Sequence, residues 1–297
     1  MPVPTYFEDS SRQLALFVFM SCFKAEHIIC TKTDGQIRRP NAQEQNSMPN
    51  ENTIKDGDVL VSGRFALGFF SPGNSSRNRY VGVWYNQISN QTVVWIANRD
   101  NHVPDTSGVL SINGDGGLVI YGRNLVLLEN DEDSQKVMWQ GFDYPTDTML
   151  PLMKLGLNRR SGLNRFITSW KSKDDPGTGS CSFRLDDPNG FPQMIVYKNG
   201  APGWRSAVAP WADQKWGTAT ILLNNEDEVS IMSSPKNSQS NLSRMVLDES
   251  GTLGRFTWND RAHQWIELSS APVERCDFYA QCGPNGYCDP YAADTIY

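Results

Sequence analysis

From Asp56 onward, short apolar runs alternate with turn-forming clusters, and no ten-residue stretch carries a helical 3.6-residue period. Val59–Ser62, Arg64–Phe70, Tyr80–Tyr85, Thr92–Ala97, Val109–Ile112, Leu118–Tyr121 and Leu125–Leu128 read as strands. Ser71-Pro-Gly-Asn74, Asn98-Arg-Asp-Asn101 and Gly114-Asp-Gly-Gly117 break them with turn chemistry. Strands recurring every ~8–12 residues predict an all-β sandwich, barrel or prism. Gly117-Leu-Val-Ile-Tyr121 and Asn124-Leu-Val-Leu-Leu128 form a weak internal repeat, the mark of pseudo-symmetric sheets.

A second β-rich region follows the turn-rich Asp174-Asp-Pro-Gly-Thr-Gly179. Its predicted strands are Cys181–Leu185, Gln193–Tyr197, Ser243–Leu247, Leu253–Trp258 and Gln264–Leu268. Residues 224–241 are polar and read as an exposed loop or hairpin. The acidic cluster Glu129-Asn-Asp-Glu-Asp133 reads as a solvated loop, because it lacks the ligand spacing of a calcium-binding loop. At 297 residues the chain has room for about two domains.

Charge and motifs narrow the function. The formal net charge is −6 and no Lys/Arg-rich run occurs, which argues against a nucleic-acid partner. Only His27, His102 and His263 offer imidazoles. The chain has no G-x-S-x-G, H-E-x-x-H, Walker, HRD or DFG signature, so no enzyme activity and no cofactor are expected. A metal on Cys22, His27 and Cys30 is the weakest reading of those residues.

The N-terminus reads as a leader over residues 1–50. Its apolar run Leu14–Phe23 falls short of the roughly 20 residues that span a bilayer, but has the length of a signal-peptide apolar region. Arg12 is offset by Glu8 and Asp9, which weakens the basic flank. Cys276, Cys282 and Cys288 stand as C-x5-C-x5-C in a Gly/Pro/Asn-rich stretch. That spacing suggests disulfides and an oxidising compartment; reduced thiols in a cytosolic loop are the alternative.

A resemblance adds to these readings. Leu67-Gly-Phe-Phe-Ser-Pro-Gly-Asn74, Arg79-Tyr-Val-Gly-Val-Trp-Tyr85, Val93-Val-Trp-Ile-Ala-Asn-Arg99 and Trp139-Gln-Gly-Phe-Asp-Tyr-Pro-Thr-Asp-Thr148 occur in order. Thr168-Ser-Trp-Lys171 and Cys276-Asp through Cys282-Gly-Pro-Asn-Gly-Tyr-Cys288 follow. Over residues 52–290 this resembles the extracellular region of plant S-locus glycoproteins and G-type lectin S-receptor-like kinases. The resemblance implies a bulb-type, β-prism lectin domain over 51–155 and an S-locus glycoprotein domain over 156–272. A truncated EGF-like module would follow over 273–297. It implies a cell-surface or secreted recognition module, with an extracellular peptide, protein or mannose-type glycan ligand, and a homodimer or a co-receptor kinase as further partners. Recognition of pollen is one role in the family. A soluble mannose-type lectin and a truncated, non-functional fragment are the alternatives.

The bulb-lectin mannose strand resembles Q-x-D-x-N-x-V-x-Y, whose alternate residues share one face. Carried over, the carbohydrate-binding candidates are Asn113, Asp115, Val119 and Tyr121, with Gly117 where the family has an amide. Losing that hydrogen-bond partner costs about 1–3 kcal/mol, enough to abolish weak sugar binding. The second copy keeps Asn124 and Val126 but has Gly122 and Leu128. The resemblance also implies about 25–30 further residues between the two copies, whereas the two-residue link here spans only about 10 Å. A prism with this gap is incomplete, or residues 121–128 rearrange into a hairpin.

Within the EGF-like resemblance, Cys276 pairs with Cys288 and Cys282 lacks its partner, while Cys181 is a buried free thiol. Asn74, Asn90 and Asn241 begin sequons in expected loops. Loops 199–217 and 224–241 are the candidate contact regions. Trp204, Arg205, Trp211 and Trp216 have the character of interface hot spots, or alternatively of core aromatics.

Overall fold

The structure is a computed structural model. It describes residues 53–73, 76–111, 116–121, 124–131, 134–187, 190–206, 219–234, 242–273, 275–280 and 286. Among these the regular structure is antiparallel β, with single 3-10 turns and no α-helix. Two compact units meet between Gly141 and Phe142, ahead of the boundary expected at 155. The reason is pairing: strands between 148 and 158 bond to strands beyond 227, so they belong to the second unit.

The first unit holds β1 (Thr53–Lys55), β2 (Val59–Ser62), β3 (Phe65–Phe70), β4 (Tyr80–Tyr85), β5 (Val93–Ile96), β6 (Val109–Ser111), β7 (Gly116–Tyr121), β8 (Asn124–Asp131) and β9 (Ser134–Gln140). Three sheets form: β1-β6, β2-β3-β4-β5 and the meander β7-β8-β9. Every residue of β3 and β4 is buried, so both faces of these strands are covered. Gly68 and Gly82 are directly paired. A Cβ on Gly82 would stand 2.6 Å from the Phe70 ring, and one on Gly68 would stand 3.0 Å from the Trp84 ring. The glycines in these two aromatic motifs are thus flat places over which rings lie. Trp95 packs edge-on against Trp139 at 5.6 Å between centroids.

Asn98 explains the Ala-Asn-Arg motif. Its side chain is 2% exposed and stands in for backbone at the end of β5. Oδ1 accepts from the Val81 amide at 2.7 Å, and Nδ2 donates to the Asn101 carbonyl at 3.0 Å. Arg79 closes the adjacent loop, donating through Nε to Asp56 at 2.6 Å and through Nη1 to Ser71 at 3.0 Å.

β7 and β8 form a tight hairpin whose last pair is Tyr121 with Asn124. The two repeat copies therefore lie side by side in one sheet, joined by two residues. Of the acidic cluster at 129–133, the first three residues are strand and not loop, since β8 continues through Asp131 and pairs there with Ser134, while residues 132 and 133 lie outside the described residues.

The second unit holds β10 (Thr148–Met149), β11 (Lys154–Asn158), β12 (Asn164–Arg165), β13 (Ile167–Ser172), β14 (Asp175–Asp186), β15 (Gln193–Lys198) and β16 (Ala201–Arg205). β17 (Ala219–Asn224), β18 (Glu228–Ser234), β19 (Ser243–Leu247), β20 (Leu253–Asn259) and β21 (Gln264–Ala271) complete it. Three four-stranded sheets result: β13-β14-β15-β16, β12-β11-β18-β17 and β10-β19-β20-β21. Alternation puts Ile167, Cys181, Phe183, Leu185, Met194, Val196 and Trp204 on the buried face of the first. Burying a side chain of this size contributes roughly 1.5–3 kcal/mol.

The Pro-Thr-Asp-Thr motif stitches this unit together. Thr146, Asp147 and Thr148 are all buried. The Thr146 carbonyl accepts from Thr168 at 2.7 Å, and the Asp147 carbonyl accepts from Leu247 at 3.0 Å. The Trp-to-Thr148 motif and the Thr-Ser-Trp motif thus meet through backbone bonds. Residues 224–234 are a hairpin between β17 and β18, not a loop. Arg159 bonds Asn224 and Asp187, and Arg160 pairs with Asp227, so arginines of the β11–β12 turn pin the hairpin tip.

Candidate ligand-binding faces

The degenerate sugar strand is β7. Asn113 and Asp115 lie outside the described residues, while Val119 and Tyr121 lie on β7 itself. Val119 is opposite Val126, and Tyr121 is opposite Asn124. Val126 is buried, 7% exposed. The Asn124 amide donates to Gln140 Oε1 at 2.8 Å, so that donor serves the sheet. Gly117 contributes no side chain. Among the described residues, the hairpin joins the two copies but does not add a free amide to the strand.

The contact candidates divide. Trp204 is 8% exposed and faces the core, opposite Val196, so it is a packing residue and not a surface hot spot. Strand alternation decides this: its neighbour Arg205 points the other way and is exposed. Trp211, Trp216 and the loop from 207 lie outside the described residues, as do residues 235–241.

Arg205 belongs to an arrangement that sequence reasoning missed. On the outer face of the β13-β14-β15-β16 sheet, the Arg184 guanidinium stands 4.2 Å above the Phe166 ring and 5.9 Å from the Tyr197 ring. The Arg205 guanidinium is 5.8 Å from the Tyr279 ring. Tyr279 donates its amide to the Gly203 carbonyl at 2.7 Å, and Phe278 bridges Trp204, so this segment extends the sheet edge. The Tyr197 hydroxyl donates to Asp186. Burial first, and then that hydrogen bond, push the Tyr197 phenol up to about 12. The signal was available as Arg184, Tyr197 and Arg205, but the register that aligns them is not local.

Cys276 is disulfide-bonded. Cys288 and Cys282 lie outside the described residues, so the pairing implied by the EGF-like resemblance is not described. Cys181 is a free, fully buried thiol. Asn90 stands exposed between β4 and β5, with Thr92 Oγ1 donating to its carbonyl at 3.0 Å. Asn74 and Asn241 lie outside the described residues. Among the described residues, no group of His, Cys, Asp and Glu has metal-site geometry, and no helix is long and apolar enough to cross a membrane.

Comparison with known proteins finds two domain families, and the lectin match crosses the boundary between the two units. The D-mannose binding lectin family matches residues 121–171, and the S-locus glycoprotein domain family matches residues 204–295. Together they define the class: an all-β chain in which lectin-type and S-locus glycoprotein-type domains stand in tandem, neither of them catalytic.

A G-type lectin S-receptor-like serine/threonine-protein kinase of Arabidopsis thaliana is 41% identical over 292 residues, covering 84% of this chain and 34% of the relative. S-locus-specific glycoprotein S6 of Brassica oleracea is 34% identical over 275 residues, covering 79% of this chain and 62% of the relative. The chain belongs to the family of plant S-locus glycoproteins and G-type lectin S-receptor-like kinases. It spans about a third of the length of the receptor kinases it matches. Since 84% of 297 residues is about 249, about 43 of the 292 aligned positions are filled only in the kinase.

Proposed function

We propose that this chain is an extracellular recognition module that binds a peptide or protein ligand at the surface of a plant cell. The observation that carries the reading is the tandem of lectin-type and S-locus glycoprotein-type domains, with colinear relatives named as receptor-like kinases. The exposed Arg184, Arg205, Phe278 and Tyr279 support a protein ligand, because arginines and aromatics dominate binding energy at protein interfaces. Pollen recognition, homodimer formation and pairing with a receptor kinase are finer roles within the same proposal.

The proposal includes the domain layout. Residues 1–50 act as a secretory leader, and the residues from 273 form an EGF-like module closed by Cys276–Cys288. The relatives' extra residues belong at the β7–β8 link, where the hairpin replaces part of a prism.

The test has two arms. Expressed in leaf cells, the chain is expected in apoplastic fluid, with a mobility shift on deglycosidase treatment that Asn90→Gln reduces. Added to the purified chain, an apoplastic peptide fraction is expected to raise its melting temperature, and protease treatment of the fraction abolishes the rise. Cytosolic, unglycosylated accumulation overturns the proposal. A rise that survives protease and disappears with free mannose would make the ligand a glycan.

A further inference from the structure

We propose that the outer face of the β13-β14-β15-β16 sheet binds an acidic segment of a protein partner, gripped by the guanidinium groups of Arg184 and Arg205. This rests on the recognition reading above and names the chemistry of the ligand.

The two arginines lie in one row across the sheet. Arg184 is opposite Ile195, and Ile195 is opposite Arg205. Directly opposed residues share a face, and the Cα atoms are two strand spacings apart, about 10 Å. Both side chains are exposed, whereas Phe183, Leu185, Met194, Val196 and Trp204 fill the opposite face. Ile195 between the arginines is 8% exposed.

Each guanidinium is held over an aromatic ring, at Phe166 and at Tyr279. A guanidinium within about 6 Å of an aromatic face is attracted to it, which restricts the side chain before a ligand arrives, and a guanidinium can pair with a carboxylate bidentately. Arg184 donates through Nε to Ser182 Oγ at 2.9 Å. Neither arginine has a carboxylate partner among the described residues, whereas Arg79, Arg159, Arg160 and Arg165 each have one.

Asp186, the acid on this face, accepts the Tyr197 hydroxyl. Among the described residues of the three paired strands this leaves the row one positive charge ahead, in a chain whose net charge is −6. That balance suits a short acidic segment better than a long polyanion, which the rest of the surface repels. A polyproline II segment turns once every three residues and rises about 3.1 Å per residue, so its side chains at i and i+3 share a face about 9 Å apart, and acidic residues at those positions match the row. Phe278 (48% exposed) and Tyr279 (43% exposed) adjoin it and offer apolar contact beside the charges.

The experiment is fluorescence anisotropy on the secreted full chain. The probe is a fluorescein-labelled twelve-residue Ser/Leu peptide with two Glu three positions apart, and the control is its Gln twin. The Glu peptide is expected to bind, more weakly as salt rises, and the twin about tenfold or more weaker. R184Q and R205Q are each expected to weaken the Glu peptide about tenfold, with an unchanged circular dichroism spectrum.

Equal binding of the two peptides, no binding up to millimolar peptide, or an unaltered affinity in the double variant overturns the proposal. So does a chain that dimerises through this face, read as a dimer that the double variant converts to monomer. If the double variant still gains stability from the apoplastic peptide fraction, recognition stands and this face is not its site.

Discussion

Replacing Asn98 with Ala removes a side chain that completes the backbone bonding of the first unit. The Val81 amide would lose its acceptor at 2.7 Å. Val81 is 4% exposed, so water does not replace that acceptor easily. An orphaned buried donor costs about 1–3 kcal/mol. The Asn101 carbonyl also loses its donor, but Asn101 is exposed and rehydrates at little cost. The Arg79 carbonyl keeps the Val103 amide at 2.9 Å. The sum is about 1–3 kcal/mol, nearly all of it from one N–H group.

The assay is amide hydrogen exchange on the intact chain, resolved to the segment containing Val81. It is expected to accelerate about 5- to 150-fold, since each 1.4 kcal/mol is a factor of ten. Asn98→Asp separates the two ends of the side chain. It keeps an acceptor for Val81 but turns an oxygen toward the Asn101 carbonyl, so it is expected to cost at least as much as Ala. A change below threefold in Asn98→Ala would refute the argument that this asparagine stands in for backbone.

Further outcomes follow from the second unit and from the β7–β8 hairpin. The folded Tyr197 phenol ionises near 12, against about 10 in an unfolded chain, first because burial disfavours the phenolate and then because the neutral hydroxyl bonds Asp186, so the stability it contributes is present below pH 10 and is lost as pH rises through 12. Wild type is therefore expected to lose stability between pH 10 and 12 more steeply than Tyr197→Phe in urea titrations; parallel curves would contradict this. Glu228 titrates below its ordinary range, chiefly through its hydrogen bond from Lys154 Nζ at 2.6 Å. Its contribution is present above pH 4.5 and disappears as pH falls through the lowered value, and Lys154→Met should flatten that loss. Calorimetry with methyl mannoside is expected to show no saturable heat at millimolar sugar, since Gly117 has no side chain and Asn124 donates to Gln140. Saturable heat would restore the sugar strand.

The legible part of the fold lies where both faces of a strand are covered. β3 and β4 are uninterrupted apolar runs with aromatics around paired glycines, and their limits are readable to within a residue. β10 and β12 have two residues each, and β16 begins Ala-Pro-Gly, so neither length nor alternation marks them. β17 and β18 flank a polar tip that reads equally as a loop or a hairpin, and the arginines that pin it come from 159 and 160.

The chain's own pattern determines an all-β fold, its turns and its family, because period-two alternation and aromatic-glycine motifs are local consequences of strand geometry. Tertiary structure decides what the pattern leaves open. Trp204 and Arg205 are adjacent, yet one enters the core and the other faces outward, and only register against Val196 and Ile195 says which. Register also brings Arg184 into line with Arg205 across twenty residues of chain. Pairing between distant strands selects that alignment by burying one whole face at once, and no window of neighbouring residues contains that information.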